Sequence, residues 1–248
     1  MQAYLITGSS SGIGAELARN LAAPDVSLVL HARHAEDRLN NVIAEVRAKG
    51  AACTSVMGDF ATDDTLAAQL VDAAINEFGR LDAVIANAGF PLMKSFADGG
   101  PDDIDYAFKG NLYSFFALAK AAHPHLKSAA NPRIVAVGSF TAYLFRTDMP
   151  QFPMSAASKG GLETAVRSVA AAMAADGITV NCVVPGYIEK DPGTSDGLPL
   201  EKLRELEAMI PLQRLGKPHD VAATIRFLLS ADAGYITGQA IHVNGGLV

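Results

Sequence analysis

Thr7-Gly8-Ser9-Ser10-Ser11-Gly12-Ile13-Gly14 is the stretch on which the fold turns. An apolar run, Ala3–Thr7, leads into it, and an amphipathic pattern over residues 12–22 leaves it. A strand, a glycine-rich turn and a helix start, in that order, place backbone N–H groups and a helix dipole where a pyrophosphate can sit. Glycine is needed because a Cβ would block phosphate from backbone and helix from strand. The spacing here is GxxxGxG rather than GxGxxG.

Working outward, the same alternation continues to the end of the chain. Further apolar runs occur at Val26–His31, Ala52–Met57, Ala83–Ala86, Arg133–Gly138, Thr179–Val184 and Ala240–Val243. Helical patterns lie between them near 12–22, 35–49, 64–78, 102–127, 155–175 and 218–230. Strands separated by helices of this length make βαβ units, whose right-handed crossovers build a doubly wound parallel α/β sheet of about seven strands. Its ligands belong at the carboxyl ends of the strands. No linker divides the sequence, so one domain is expected over residues 1–248. The segment Ile188–Pro211, rich in Gly, Pro, Asp and Lys around a short helix at Leu200–Met209, interrupts the rhythm. Its length and its place after a strand end predict a substrate lid over 188–211.

Composition narrows the class. Half of the 248 residues are hydrophobic and 19% are charged, which excludes a disordered chain. The net charge of −6 and the lack of a long basic run argue against a nucleic-acid partner. No unbroken apolar stretch reaches the roughly 18 residues of a membrane span, and the start MQAYLITG carries no secretory pattern. Cys53 and Cys182 sit inside apolar runs with no CxxC and no His/Cys cluster, so buried reduced thiols, no metal and a cytoplasmic setting are expected.

Several motifs in order then resemble one family. After the glycine-rich turn come Asn87-Ala88-Gly89 behind the fourth strand, Ser139 behind the fifth, Lys159, and Pro185-Gly186 behind the sixth. Pro211-Leu212-Gln213-Arg214-Leu215-Gly216-Lys217-Pro218, Tyr235-Ile236-Thr237-Gly238-Gln239 and Asn244-Gly245-Gly246 follow. Together they resemble the short-chain dehydrogenases/reductases over essentially the whole chain. The resemblance implies a Rossmann-type subunit, a nicotinamide cofactor, a small-molecule substrate and a homo-oligomer, a tetramer or a dimer. It assigns Gly8, Ser10, Ser11, Gly12, Ile13 and Gly14 to the pyrophosphate, Asp59 and Phe60 to the adenine, and Asn87, Ala88 and Gly89 to the middle of the cofactor. Pro185, Gly186 and Ile188 fall to its nicotinamide end, and Lys159 to the nicotinamide ribose.

Cofactor choice has a physical argument. A carboxylate at the end of the second strand would bond the ribose 2′-hydroxyl of NAD and repel a 2′-phosphate. By the family's register Ala32 takes that position and Arg33 follows, so a guanidinium stands where a phosphate would bind and no acid opposes it. NADP(H) is the expected cofactor.

The catalytic pattern departs from the family at one position. The family pairs Tyr with Lys as YxxxK on one helix, where the lysine helps lower the phenol pKa. Here Lys159 is preceded four residues earlier by Ser155. Asn111 and Ser139 match the family's other catalytic positions, as the asparagine holding a water near the lysine and the serine bonding the substrate carbonyl. A serine hydroxyl is a far weaker acid than a phenol, so Ser155 is expected to orient substrate or water. A Ser/Lys hydrolase would need SxxK, but the position three residues before Lys159 is Ala156. The substitute donor expected from the sequence is Tyr143, in the loop after Ser139. Mitochondrial 2,4-dienoyl-CoA reductases, a divergent branch of the family, are similar here, pairing a serine with the lysine and drawing tyrosine from this upstream loop. Enoyl reductases of the superfamily place tyrosine seven residues before the lysine, where this chain has Phe152. Tyr187 is a second candidate. Phe140, Leu144, Phe145, Met149, Phe152, Met154, Tyr187 and Leu198 suggest an apolar pocket. Two readings follow: an NADP(H)-dependent oxidoreductase acting on a carbonyl or conjugated enone with an altered proton donor, or a cofactor-binding sensor that has lost the chemistry.

Overall fold

Side chains alternate faces along a strand, and in this chain both faces are apolar. Leu5, Val29, Val84, Ile134 and Cys182 point into one buried cluster, while Tyr4, Leu28, Leu30, Ile85 and Val135 point into another. A sheet buried on both sides needs helices on both, and the sequence supplies them. The computed structural model describes residues 2–147, 151–190 and 200–248, with nothing said of the side chains of 200–203.

The seven strands β1 (Gln2–Ile6), β2 (Val26–Ala32), β3 (Ala52–Met57), β4 (Ala83–Ala86), β5 (Arg133–Val137), β6 (Thr179–Pro185) and β7 (Ala240–Val243) form one parallel sheet ordered β3-β2-β1-β4-β5-β6-β7. Helices α1 (Gly12–Leu21) and α2 (Glu36–Ala48) cover one face together with α8 (Pro218–Leu229). Helices α3 (Leu66–Phe78), α5 (Ser114–Leu126) and α6 (Pro153–Met173) cover the other. Helix α4 (Pro101–Phe108) precedes α5, and α7 (Leu200–Met209) follows β6. The order reverses between β1 and β4, opening a crevice at their carboxyl ends, the place where such sheets bind ligands.

The expected strands and helices agree with the observed ones to within a residue or two at most ends, with one correction. The helical pattern over 102–127 is not continuous: α4 ends at Phe108, and a π-helical turn, Lys109–Tyr113, joins it to α5. A Cβ on Gly110 would fall 2.6 Å from the Phe90 ring, so the backbone presses against that ring with no side chain between. Of the expected lid, α7 lies as expected, while residues 191–199 fall outside those described.

Candidate active site

The crevice is stitched shut at its base by Thr7 and Asn87. Thr7 Oγ1 accepts from the backbone N–H of Asn87 at 3.1 Å and of Ala88 at 2.9 Å. In return, Asn87 Nδ2 donates to Thr7 O at 2.8 Å and Gly8 O at 3.0 Å. The glycine-rich turn is thereby locked onto the end of β4. Gly14 has no room for a side chain, since a Cβ would lie 2.3 Å from Gly8 O, whereas at Gly12, with φ +55°, a Cβ would meet open space. Ser11 makes no side-chain bond to the start of α1, and the first turn holds no acid. A helix start with no acid in its first turn suits the negative charge of a pyrophosphate.

One tether here went unread in the sequence. His31, buried at the end of β2, accepts from Gly8 N–H through Nδ1 at 3.2 Å and donates through Nε2 to Gly58 O at 3.0 Å. These partners fix the tautomer with the proton on Nε2, and burial pulls the imidazole below its usual pKa. The signal was an imidazole inside a strand that is apolar but for Ser27.

At the adenosine end, Arg33 Nη1 donates to Tyr106 Oη at 2.5 Å and lies 3.8 Å from Asp59 Oδ2. The Tyr106 hydroxyl donates to Asp59 Oδ2 at 3.3 Å. The guanidinium also stands over the Phe90 ring, 5.4 Å from its centroid. Arg33 and Asp59 therefore meet at one end of the crevice, although the sequence reading set no acid near Arg33, and Tyr106 of α4 joins them. The Phe60 ring is buried in the core against His31, which leaves its backbone to face the crevice.

The catalytic end is built around α6. Lys159 is 7% exposed and donates from Nζ to Val137 O, the last residue of β5, at 2.7 Å. Loss of water around the ammonium lowers its pKa from 10.5 to about 8. Asn111, in the π turn, donates from Nδ2 to Ser158 Oγ at 3.1 Å and accepts from Phe90 N–H at 3.3 Å. Ser155 is buried, and its Oγ accepts from Leu92 N–H at 2.8 Å. Ser139 Oγ, just past β5, accepts from Thr141 at both its N–H and its hydroxyl. Asn111 and Lys159 thus meet beneath Gly89, where a Cβ would lie 2.8 Å from both Asn111 Oδ1 and Lys159 Nζ, and Ser155 stands one turn before Lys159 on α6.

Tyr143 has a partner that the sequence does not show. Its hydroxyl donates to Glu163, a buried carboxylate that the sequence reading passed over although it sits four residues beyond Lys159. Burial, then that bond, pushes the phenol up to about 12, away from neutrality. Glu163 lies eight residues past Ser155, about 12 Å of helix rise deeper. Tyr143 also packs edge-on against His242 of β7.

Beyond β6, the backbone of Gly186 bonds Val243 O, and Ile188 pairs with Gly216, where a Cβ would lie 2.5 Å from Ile188 Cδ1. The Pro211–Pro218 motif thereby pins Pro185–Ile188 at the mouth. Phe140, Leu144, Phe145 and Phe152 line a cavity of about 290 Å³ with Thr141, Gln151, Pro153, Ala156 and Ala157. Tyr187 stacks on Phe140 at 4.4 Å, and Met154 is buried instead, close to Gly99. Met149 and Leu198 lie outside the described residues. Both thiols are free and buried. Among the described residues no His/Cys/Asp/Glu group is placed to hold a metal, and no helix is long and apolar enough to cross a membrane.

Comparison with known proteins agrees with this geometry. A family model described as enoyl-(acyl carrier protein) reductase matches residues 8–248. L-rhamnose 1-dehydrogenase (NAD(P)(+)) of Sphingomonas sp. is 33% identical over 244 residues, 98% of this chain and 94% of that protein. A 3-oxoacyl-(acyl-carrier-protein) reductase of Staphylococcus aureus is 32% identical over 247 residues, 98% and 96% of the two chains. Among solved structures, a short-chain dehydrogenase of Burkholderia cenocepacia in complex with NADP superposes with a TM-score of 0.89 at 30% identity, over 99% of this chain and 97% of that one. With the crevice, the glycine-rich turn and the Asn111–Ser139–Lys159 set in place, the chain belongs to the short-chain dehydrogenase/reductase family.

Proposed function

We propose that this oxidoreductase uses NADP(H) to reduce or oxidise a small carbonyl or conjugated enone or enoyl compound, with a proton route that does not run through a helix tyrosine. The observation that carries the reading is the Lys159 ammonium, buried and held 2.7 Å from Val137 O beside Ser139 and Asn111. A sensor without chemistry has no use for that set. Arg33 supports the choice of NADP(H), as does the NADP named with the Burkholderia structure.

When bound, the nicotinamide supplies or accepts the hydride. The chain's own residues handle the rest. Ser139 orients the substrate oxygen by hydrogen bonding. Lys159, with its pKa drawn down to about 8, releases a proton more readily than an ordinary lysine. Ser155, one turn earlier on α6, relays that proton, directly or through a water, to the substrate oxygen. Asn111 fixes the α6 backbone by way of Ser158. A conjugated substrate suits this arrangement, because an enolate held by hydrogen bonds tolerates slower protonation than an alkoxide.

Two buried free thiols suit a reducing compartment, and we assign the chain to the cytoplasm. Exposed Tyr113, the last residue of the π turn, and Phe116 on α5 support a homo-oligomer, a tetramer or a dimer. The reaction class is tested by following deuterium from 4-deuterated NADPH. Label on a carbinol carbon shows carbonyl reduction, and label on the β-carbon of a saturated ketone or thioester shows enone or enoyl reduction. Recovery of unlabelled product, or of no product, contradicts the proposal.

A further inference from the structure

The adenosine end of the crevice holds an arrangement that the Arg33 reading alone does not explain. Arg33, half exposed at the end of β2, and Asp59, past the end of β3, carry opposite charges yet do not close into a direct pair: their nearest atoms stay 3.8 Å apart. The Tyr106 hydroxyl stands between them. Its oxygen accepts from Arg33 Nη1 at 2.5 Å, and its proton goes to Asp59 Oδ2 at 3.3 Å. The Tyr106 ring is itself fixed, 4.7 Å from Phe90, and the same Phe90 ring lies under the guanidinium. Tyr106 belongs to α4, across the crevice from β2 and β3.

We propose that Tyr106 is a specificity-determining residue for the 2′-phosphorylated cofactor, acting by holding the Arg33 guanidinium off Asp59 and on the Phe90 ring. The inference rests on Arg33 being the 2′-phosphate ligand. A guanidinium in direct bidentate contact with a carboxylate has its charge and two of its donors spent. With a neutral hydroxyl interposed, Arg33 gives up one N–H, and the rest of its planar fork stays available to a phosphate. Phe90 supplies the flat surface that keeps the fork from rotating. Without the hydroxyl, Arg33 would settle onto Asp59, and a 2′-phosphate would have to break that pair. NADH, which lacks the phosphate, would be indifferent.

The test is a titration of NADPH and NADH, followed by cofactor fluorescence, on the full chain and on Arg33→Ala, Tyr106→Phe and Asp59→Asn/Tyr106→Phe. The expected result is that NADPH binds more tightly than NADH and that Arg33→Ala removes the difference. Tyr106→Phe should weaken NADPH about tenfold, the worth of one hydrogen bond to a charged group, and leave NADH unchanged. NADH binding then also reports that the variant is folded. Adding Asp59→Asn should return most of the preference, because Arg33 no longer has a carboxylate to fall onto. If Tyr106→Phe weakens both cofactors equally, or neither, Tyr106 only shapes the wall and the proposal is overturned while Arg33 keeps its role. Equal affinities in the parent protein, or no effect of Arg33→Ala, would overturn the cofactor reading and this proposal with it.

Discussion

The backbone of Gly89 runs so close to the Lys159 amine that a methyl group added at Gly89 would stand 2.8 Å from Nζ. The same methyl would stand 2.8 Å from Asn111 Oδ1. What gives way at Gly89 is the tip of a flexible side chain, whereas at Gly14 the nearest atom is the backbone carbonyl of Gly8 at 2.3 Å. Gly89→Ala is therefore expected to fold with an almost unchanged melting temperature, yet to lose turnover as the amine is pushed from Val137 O. Gly14→Ala should lower stability itself, by about 1–3 kcal/mol, the usual worth of overpacking. Thermal melts beside activity for the two variants check this; equal melting temperatures would defeat it.

Ala32 is buried at the end of β2, where Gly58 N–H bonds its carbonyl. Ala32→Asp would put a carboxylate where NAD-type sites keep theirs, and it should turn the preference from NADPH toward NADH. Cofactor titration of the variant is the measurement, and a retained NADPH preference would show that the register of β2 has been misread.

Ser155 and Tyr143 differ in what their hydroxyls face, Leu92 N–H for one and Glu163 for the other. Ser155→Ala is expected to lower kcat by about 10²-fold with KM little changed, as befits a group in the proton route. Tyr143→Phe should cost less than about tenfold. The reverse ranking would restore Tyr143 as the acid.

His31 carries a pH dependence whose sign is fixed by its burial. Its folded pKa is below the unfolded value near 6.5, so protons bind the unfolded chain more readily. Stability is full above that value and is lost as pH falls toward the folded pKa. The protonated ring can no longer accept from Gly8 N–H; Asp59, the charged group nearby, opposes the shift without reversing it. NADPH affinity and melting temperature should both drop between about pH 7 and pH 5, and the drop should be smaller in His31→Gln. An equal drop in the variant would assign it to other groups.

The sheet was readable because strand alternation, helix length and glycine spacing are local signals, and Ala52–Met57, Ala83–Ala86 and Ala240–Val243 were bounded correctly from them. The places of Arg33, just past β2, and Lys159, on α6, were legible through the family's motifs. The π turn was not, because Gly110 needs its place only when Phe90, twenty residues away, closes on it. Tyr106, His31 and Glu163 were missed for the same reason: each takes its meaning from a partner on another element or turn, and no spacing in the sequence marks it. For Tyr143 the loop position was legible, and the buried carboxylate that takes its hydroxyl was not.

The central claim is that Lys159 works in a reductase without a helix tyrosine, and NADPH consumption tests it most directly. The full chain and Lys159→Ala are assayed against ketones, aldehydes, enones and enoyl thioesters, with NADPH binding titrated alongside. The account predicts oxidation of NADPH with at least one of these classes, abolished in Lys159→Ala, which also binds the cofactor more weakly. Tight NADPH binding with no turnover on any class, or turnover undiminished in Lys159→Ala, would contradict it.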